Sequence, residues 1–163
     1  MQQELAAQFP VVADTYREAS DVLGFDLWNL VENGPAESLD ETINTQPAML
    51  TAGVATFRAW EAAGGERPAM MAGHSLGEYS ALVSSGVLAF ADTVALVRRR
   101  AELMQGAVPS GDGAMAAILG LDDDAVVEAC SAASETGVAE AANFNSPGQV
   151  VVAGDKAGID RVI

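Results

Sequence analysis

A serine between two glycines, placed between an apolar run and a helix-like one, constrains this chain more than any other feature. Pro68-Ala69-Met70-Met71-Ala72 reads as a short buried strand, and Tyr79-Ser80-Ala81-Leu82-Val83 as the body of a helix ending near Gly86. Between them stands Gly73-His74-Ser75-Leu76-Gly77-Glu78. In a strand–turn–helix context, G-x-S-x-G is the pattern of a nucleophile elbow, which puts the serine on a sharp, strained turn. Such a turn needs neighbours almost free of side chain. It also sets the hydroxyl at a helix N-terminus, where free N–H groups and the dipole favour an oxyanion. Ser75 and Glu78 equally fit a capping box, in which serine caps the helix and glutamate reciprocates. A capping box does not call for flanking glycines, and this favours the elbow.

The 163 residues suffice for one moderate domain, or for one domain and part of another. A hydrophobic content of 50% with 19% charged residues describes a globular core. A net charge of −15 argues against a nucleic-acid surface, and Arg98-Arg99-Arg100 is the only basic cluster. Cys130 is the single cysteine, which excludes an internal disulfide framework. Beside Val126 and Ala129 on a predicted helix, it reads as a buried structural thiol. No basic-then-apolar leader and no apolar run of membrane-spanning length is visible, so the chain reads as cytoplasmic, without a membrane partner.

The first half is predicted helical. Helices are expected over Met1–Gln8, Val11–Leu23 and Leu27–Val31, then from Thr45-Gln46-Pro47, with a capping threonine and a first-turn proline, to Gly64-Gly65. After the 68–72 strand and the elbow, Asp92 is expected to cap a helix from Thr93 to about Gly106. A different texture starts near Gly111: a strand over Ala114–Leu119, a helix over Asp122–Ser134, strands over Val138–Phe144 and Gln149–Ala153, and a helix from Asp155. That βαββα order is a ferredoxin-like unit lacking its last strand. The run Asp122-Asp123-Asp124 reads as helix capping and dipole compensation, so no metal site is expected. Ile159 to Ile163 stops inside an amphipathic pattern, and a lone buried strand needs parallel neighbours. Part of each subdomain is therefore expected to lie outside the sequence.

A serine hydroxyl attacks poorly unless a base takes its proton. The one histidine, His74, adjoins Ser75 on the turn, where adjacent side chains point apart. It therefore reads as a packing or hydrogen-bonding residue. Further along, Leu96, Val97, Leu103 and Met104 form a predicted apolar stripe with Arg100 in its middle, Arg98 turned away and Arg99 at the edge. An inward guanidinium must find an anion. Spacing leaves two readings open: a structural salt bridge, or a bidentate clamp for a substrate carboxylate. The Leu76 N–H would be one oxyanion donor, its neighbour Gly77 freeing the backbone there. His74, Asn143 and Asn145 could line a site, although turn chemistry also accounts for the two asparagines.

The segment Gly73–Val83 resembles the active-site segment of bacterial malonyl-CoA:acyl-carrier-protein transacylases. Thr45-Gln46-Pro47-Ala48, Arg100 with Met104-Gln105, and Asn143 to Val151 are similar to the same family, in the same order along essentially the whole chain. The resemblance implies an α/β fold. An α/β-hydrolase-like acyltransferase core with the elbow would occupy residues 1–110, and an inserted ferredoxin-like α+β subdomain residues 111–163, both incomplete. It implies that Ser75 carries a malonyl ester and that Arg100 grips its free carboxylate. The implied substrate is malonyl-CoA, the partner acyl carrier protein and the pathway fatty acid synthesis, with no permanently bound cofactor.

The family's glycine-glutamine-glycine loop, its catalytic histidine and a later glutamine have no counterpart in this sequence. The chain thus resembles the interior of such an enzyme. A polyketide-synthase-type acyltransferase domain, a serine hydrolase or thioesterase, and an inactive truncated product remain the alternatives.

Overall fold

Among the described residues no strand forms before Gly113. The computed structural model describes residues 2–109 and 111–163. Its first part is helical throughout: α1 (Gln3–Gln8), α2 (Pro10–Leu23), α3 (Leu27–Asn33), α4 (Ala36–Asp40), α5 (Thr42–Ala62), α6 (Leu76–Ser84) and α7 (Phe90–Gln105). Of the expected first helix, Met1 lies outside the described residues, as does Ser110, the last residue of the first expected domain. The second part runs β1 (Gly113–Leu119), α8 (Asp123–Ala133), β2 (Ala139–Ser146), β3 (Gln149–Asp155) and α9 (Lys156–Val162), which makes the fold mixed α/β. The chain forms two compact units that divide between Gly106 and Ala107.

In the first unit the helices close over one apolar cluster. Val12, Tyr16 and Ala19 of α2 fall at i, i+4 and i+7 and meet Leu50, Val54, Ala55 and Ala59 of α5, with Phe90, Val94 and Val97 of α7. Local signals set the ends of α2: Pro10 opens it, and Gly24 closes it in the left-handed region at φ 75°. Tyr16 and Trp28 meet edge to face at 4.8 Å. Burial, with the nearby Glu32 carboxylate, pushes the Tyr16 phenol up to about 12.

Three expectations for this unit are corrected. Residues 68–72 form no strand, and Met70 is 90% exposed. A strand needs a ladder partner, and among the described residues this unit offers no second extended segment. Helix α5 begins at Thr42, so Pro47 stands in its interior. The Thr45 hydroxyl donates to the Leu39 and Glu41 carbonyls and caps nothing. An interior proline leaves the carbonyl four residues back without its N–H, and here Arg98 Nη1 donates to that Ile43 oxygen at 3.0 Å. Helix α7 begins at Phe90 with Ala89 as its cap residue, because Phe90 is drawn into the core. Asp92 contributes first-turn charge and no cap.

The second unit has the βαββα order that the sequence predicts. Its three strands lie in the order β1-β3-β2, each pair antiparallel, so the β1–α8–β2 connection crosses over the central strand. Burial alternates along β1, as a sheet with one covered face requires. Val150 and Val152 of β3 pack against Val126 and Cys130 of α8 and Ile159 of α9. The Cys130 thiol is buried there; that desolvation, together with the Glu140 charge, raises its pKa. Pro147-Gly148 turns the β2–β3 hairpin, with Gly148 at φ 74°. Asp155 caps α9, its carboxylate accepting from the Gly158 N–H at 2.7 Å. No helix among the described residues is long and apolar enough to cross a membrane.

Candidate active site

Ser75 has φ 53° and ψ −112°, and it is the one non-glycine residue at positive φ among the described residues. Holding a serine there costs about 1–3 kcal/mol and requires surrounding structure to enforce it. Part of the enforcement comes from main-chain bonds. The Gly77 N–H donates to the His74 carbonyl at 2.9 Å and the Glu78 N–H to the Ser75 carbonyl at 3.2 Å. Gly73 supplies the rest. A Cβ there would lie 2.0 Å from the Gly77 carbonyl carbon and 2.5 Å from the Glu78 nitrogen. The expectation of crowding fails at Gly77, where a Cβ would meet no atom within 4 Å.

The hydroxyl does not behave as a capping box requires. Ser75 occupies the cap position of α6 but makes no side-chain cap bond. Its Oγ instead accepts from Arg100 Nη2 at 2.9 Å. The Leu76 N–H meets no acceptor among the described residues, so it faces the turn as an unused donor. His74 is exposed and its imidazole makes no hydrogen bond among the described residues, contrary to the packing or bonding role expected. No histidine or carboxylate among the described residues reaches the Ser75 hydroxyl.

Arg100 spans between two helices. Nη1 donates to the Gln46 amide oxygen of α5 and Nη2 to Ser75, while the guanidinium carbon lies 5.8 Å from the centre of the Tyr79 ring on α6. Among the described residues it makes no ion pair, whereas Arg98 and Arg99 both pair with Glu102. Of the predicted stripe around it, only Val97 is buried. Leu96, Leu103 and Met104 are 50–57% exposed, and the buried face of α7 runs through Phe90, Thr93, Val94, Val97 and Ala101. Arg98, expected to turn away, docks on α5, bonding the Ile43 carbonyl and Asn44 Oδ1.

Gln46 is a site residue that sequence reasoning gave no role. It is 7% exposed, and its Nε2 donates to Met104 Sδ at 3.3 Å while its oxygen holds Arg100. The available signal was the Thr45-Gln46-Pro47-Ala48 segment, which reads as a helix start and as part of the family resemblance, with no role for Gln46 itself. Asn143 and Asn145 lie on β2 of the second unit. The Asn145 amide bonds Gln149 Oε1 at 3.3 Å across the hairpin turn, which is turn chemistry. Asp123 and Asp124 stand in the first turn of α8, complementing its dipole.

The first unit therefore brings together an exposed serine oxygen in a strained turn, an unused N–H beside it and an arginine without a carboxylate. Over residues 1–163 the chain matches the family described as the acyl transferase domain. It is 58% identical over 158 residues to the malonyl CoA-acyl carrier protein transacylase of Escherichia coli strain K12, covering 97% of this chain and 51% of that protein. It is 54% identical to an acyl carrier protein S-malonyltransferase from Vibrio cholerae, with a TM-score of 0.94 over 99% of this chain and 53% of that one. A third match is the structure of a malonyl-transacylase in complex with a type II polyketide acyl-carrier protein, at 53% identity, with a TM-score of 0.95 over 99% of this chain and 52% of that one. The chain spans about half the length of the curated relatives it matches.

Proposed function

The chain belongs to the acyl transferase domain family, and from that premise we propose that it carries the acyl-bearing serine and the carboxylate-binding arginine of a malonyl-CoA:acyl-carrier-protein transacylase. Ser75 Oγ attacks the thioester carbonyl of malonyl-CoA, the C–S bond breaks, and the coenzyme thiol leaves with a proton. The phosphopantetheine thiol of acyl carrier protein then attacks the malonyl-serine ester and regenerates the hydroxyl. The base, by resemblance, is a histidine in the other half of such enzymes. The Leu76 N–H donates to the oxyanion. Malonyl-CoA enters as substrate, and no permanent cofactor is required. His74, Asn143 and Asn145 stay as candidate lining residues. In this reading residues 1–110 belong to an α/β-hydrolase-like core and 111–163 to an inserted ferredoxin-like subdomain of a cytoplasmic enzyme of fatty acid synthesis.

The observation that carries the proposal is the 2.9 Å contact between Arg100 Nη2 and Ser75 Oγ. In a malonyl ester the free carboxylate lies only one methylene from the carbonyl bound to serine. A cation beside the serine, with no acid of its own, suits that carboxylate and leaves a neutral acyl group unrewarded. The test uses the full-length protein, malonyl-CoA and intact mass spectrometry. A malonyl adduct is expected on the wild type and none on Ser75→Ala; an adduct persisting on that variant rejects the assignment. Arg100→Ala is expected to reduce the preference for malonyl over acetyl thioester by about 10- to 100-fold. Appearance of malonyl-carrier protein, with little free malonate, separates transfer from hydrolysis. A polyketide carrier protein is the second acceptor to assay, because one matched structure pairs such a carrier with its malonyl-transacylase.

A further inference from the structure

We infer that Arg98 is a positioning residue for Arg100, acting across the α5–α7 contact and through Gln46. This rests on the reading of Arg100 as the carboxylate clamp. Pro47 starts the chain of causes. It has no N–H for the Ile43 carbonyl, which would be left without a partner inside α5. Arg98 Nη1 takes that oxygen at 3.0 Å and Asn44 Oδ1 at 3.1 Å. On the other side of the same residue, the Ile43 N–H donates to Gln105 Oε1 at 3.1 Å. Both main-chain groups of Ile43 are thus tied to α7 side chains.

Gln46 follows three residues later, less than one helical turn along. Its two amide atoms engage α7 again, at Arg100 and Met104. The register of α5 against α7 at Ile43 therefore sets where the Gln46 oxygen stands, and that oxygen aims Arg100 at Ser75. The Arg98 head is itself held in place. Its Nε lies 3.5 Å from Glu102 Oε1, and its guanidinium lies over the Phe25 ring at 5.9 Å. A small displacement of a positioned group can cost about two orders of magnitude in rate, so a residue that never touches substrate can govern selectivity.

A merely structural Arg98 would do no more than satisfy an orphaned carbonyl. The two roles separate in full-length protein by pairing Arg98→Met with Pro47→Ala, since the alanine substitution returns the missing N–H to the Ile43 carbonyl. The quantity to read is the ratio of kcat/KM for malonyl over acetyl thioester, with the thermal midpoint alongside. Arg98→Met is expected to lower both, the ratio by about tenfold. Adding Pro47→Ala is expected to restore the midpoint and leave the ratio low. Recovery of both in the double variant overturns the proposal, as does an unchanged ratio in Arg98→Met where Arg100→Ala lowers it. An unchanged ratio in Arg100→Ala instead removes the clamp reading, and this inference with it. If Arg98→Met does not fold, Asn44→Ala removes one Arg98 acceptor and keeps the Ile43 bond. A ratio lowered about two- to fivefold there supports the positioning role, and an unchanged ratio overturns it.

Discussion

The start of α9 and the start of α6 each hold a residue able to cap a helix, and they use it in opposite ways. At α9 the Asp155 carboxylate is fully engaged, taking the Gly158 N–H with one oxygen and the Val138 N–H with the other. At α6 the Ser75 hydroxyl ignores the helix it begins and accepts from Arg100 of another helix. Both corners are tight. A Cβ at Gly154 would lie 1.8 Å from the Val138 oxygen, and one at Gly73 would lie 2.0 Å from the Gly77 carbonyl carbon. Backbone geometry differs, for Asp155 sits in ordinary extended backbone and Ser75 at positive φ. Close packing alone therefore does not mark a chemical site. A polar cap residue withheld from capping, in a strained conformation, is what the proposed site adds.

The sharpest way to break this comparison is Gly73→Ala. Its methyl cannot coexist with the Gly77 carbonyl, so the elbow must open. Serine acylation in full-length protein, followed by intact mass against time, should fall by about 100-fold or more. Gly77→Ala should lose far less, because its methyl meets nothing within 4 Å. Equal losses would show that the two glycines share one role and would undo the steric account.

Asp155→Asn probes the engaged cap. The Gly158 N–H first and the Val138 N–H after it, opposed by desolvation, hold the Asp155 carboxyl below its ordinary pKa. A folded-state pKa lowered in this way adds stability above the unfolded carboxylate pKa, and that stability is lost as pH falls through the lowered value. The variant should therefore unfold at lower denaturant near neutral pH and show a flatter loss of stability in acid. An unchanged acid slope would remove Asp155 from that account. The smallest effect is expected for the stability of Ser75→Ala. Loss of a working N-cap costs about 1 kcal/mol, whereas here the change should stay within about 0.5 kcal/mol. A loss of the full capping value in chemical denaturation would mean that Ser75 caps α6 after all.

The sequence made local signals legible and cross-helix ones opaque. Pro10 and Gly24 bound α2, the turn residues Asn145 to Gly148 separated β2 from β3, and Gly73 to Glu78 located the elbow, since each signal lies within a few residues of its effect. Pro47 misled because a proline is expected in a first turn. Its tolerance inside α5 depends on Arg98, separated from the Ile43 carbonyl by 55 residues. Gln46 escaped for the same reason, its partner Arg100 lying 54 residues on. The 68–72 segment had strand composition, but composition cannot supply the neighbouring strand that a ladder needs.

The burial of Cys130 has a practical consequence. It is the only thiol in the chain, packed against β3 in the second unit, while both tryptophans, Trp28 and Trp60, belong to the first. Alkylation needs an accessible thiolate, which burial and a raised pKa both withhold in the closed state. The rate of Cys130 labelling thus clocks the opening of one unit, and tryptophan emission follows the other. This chain carries a separate natural reporter for each of its two units.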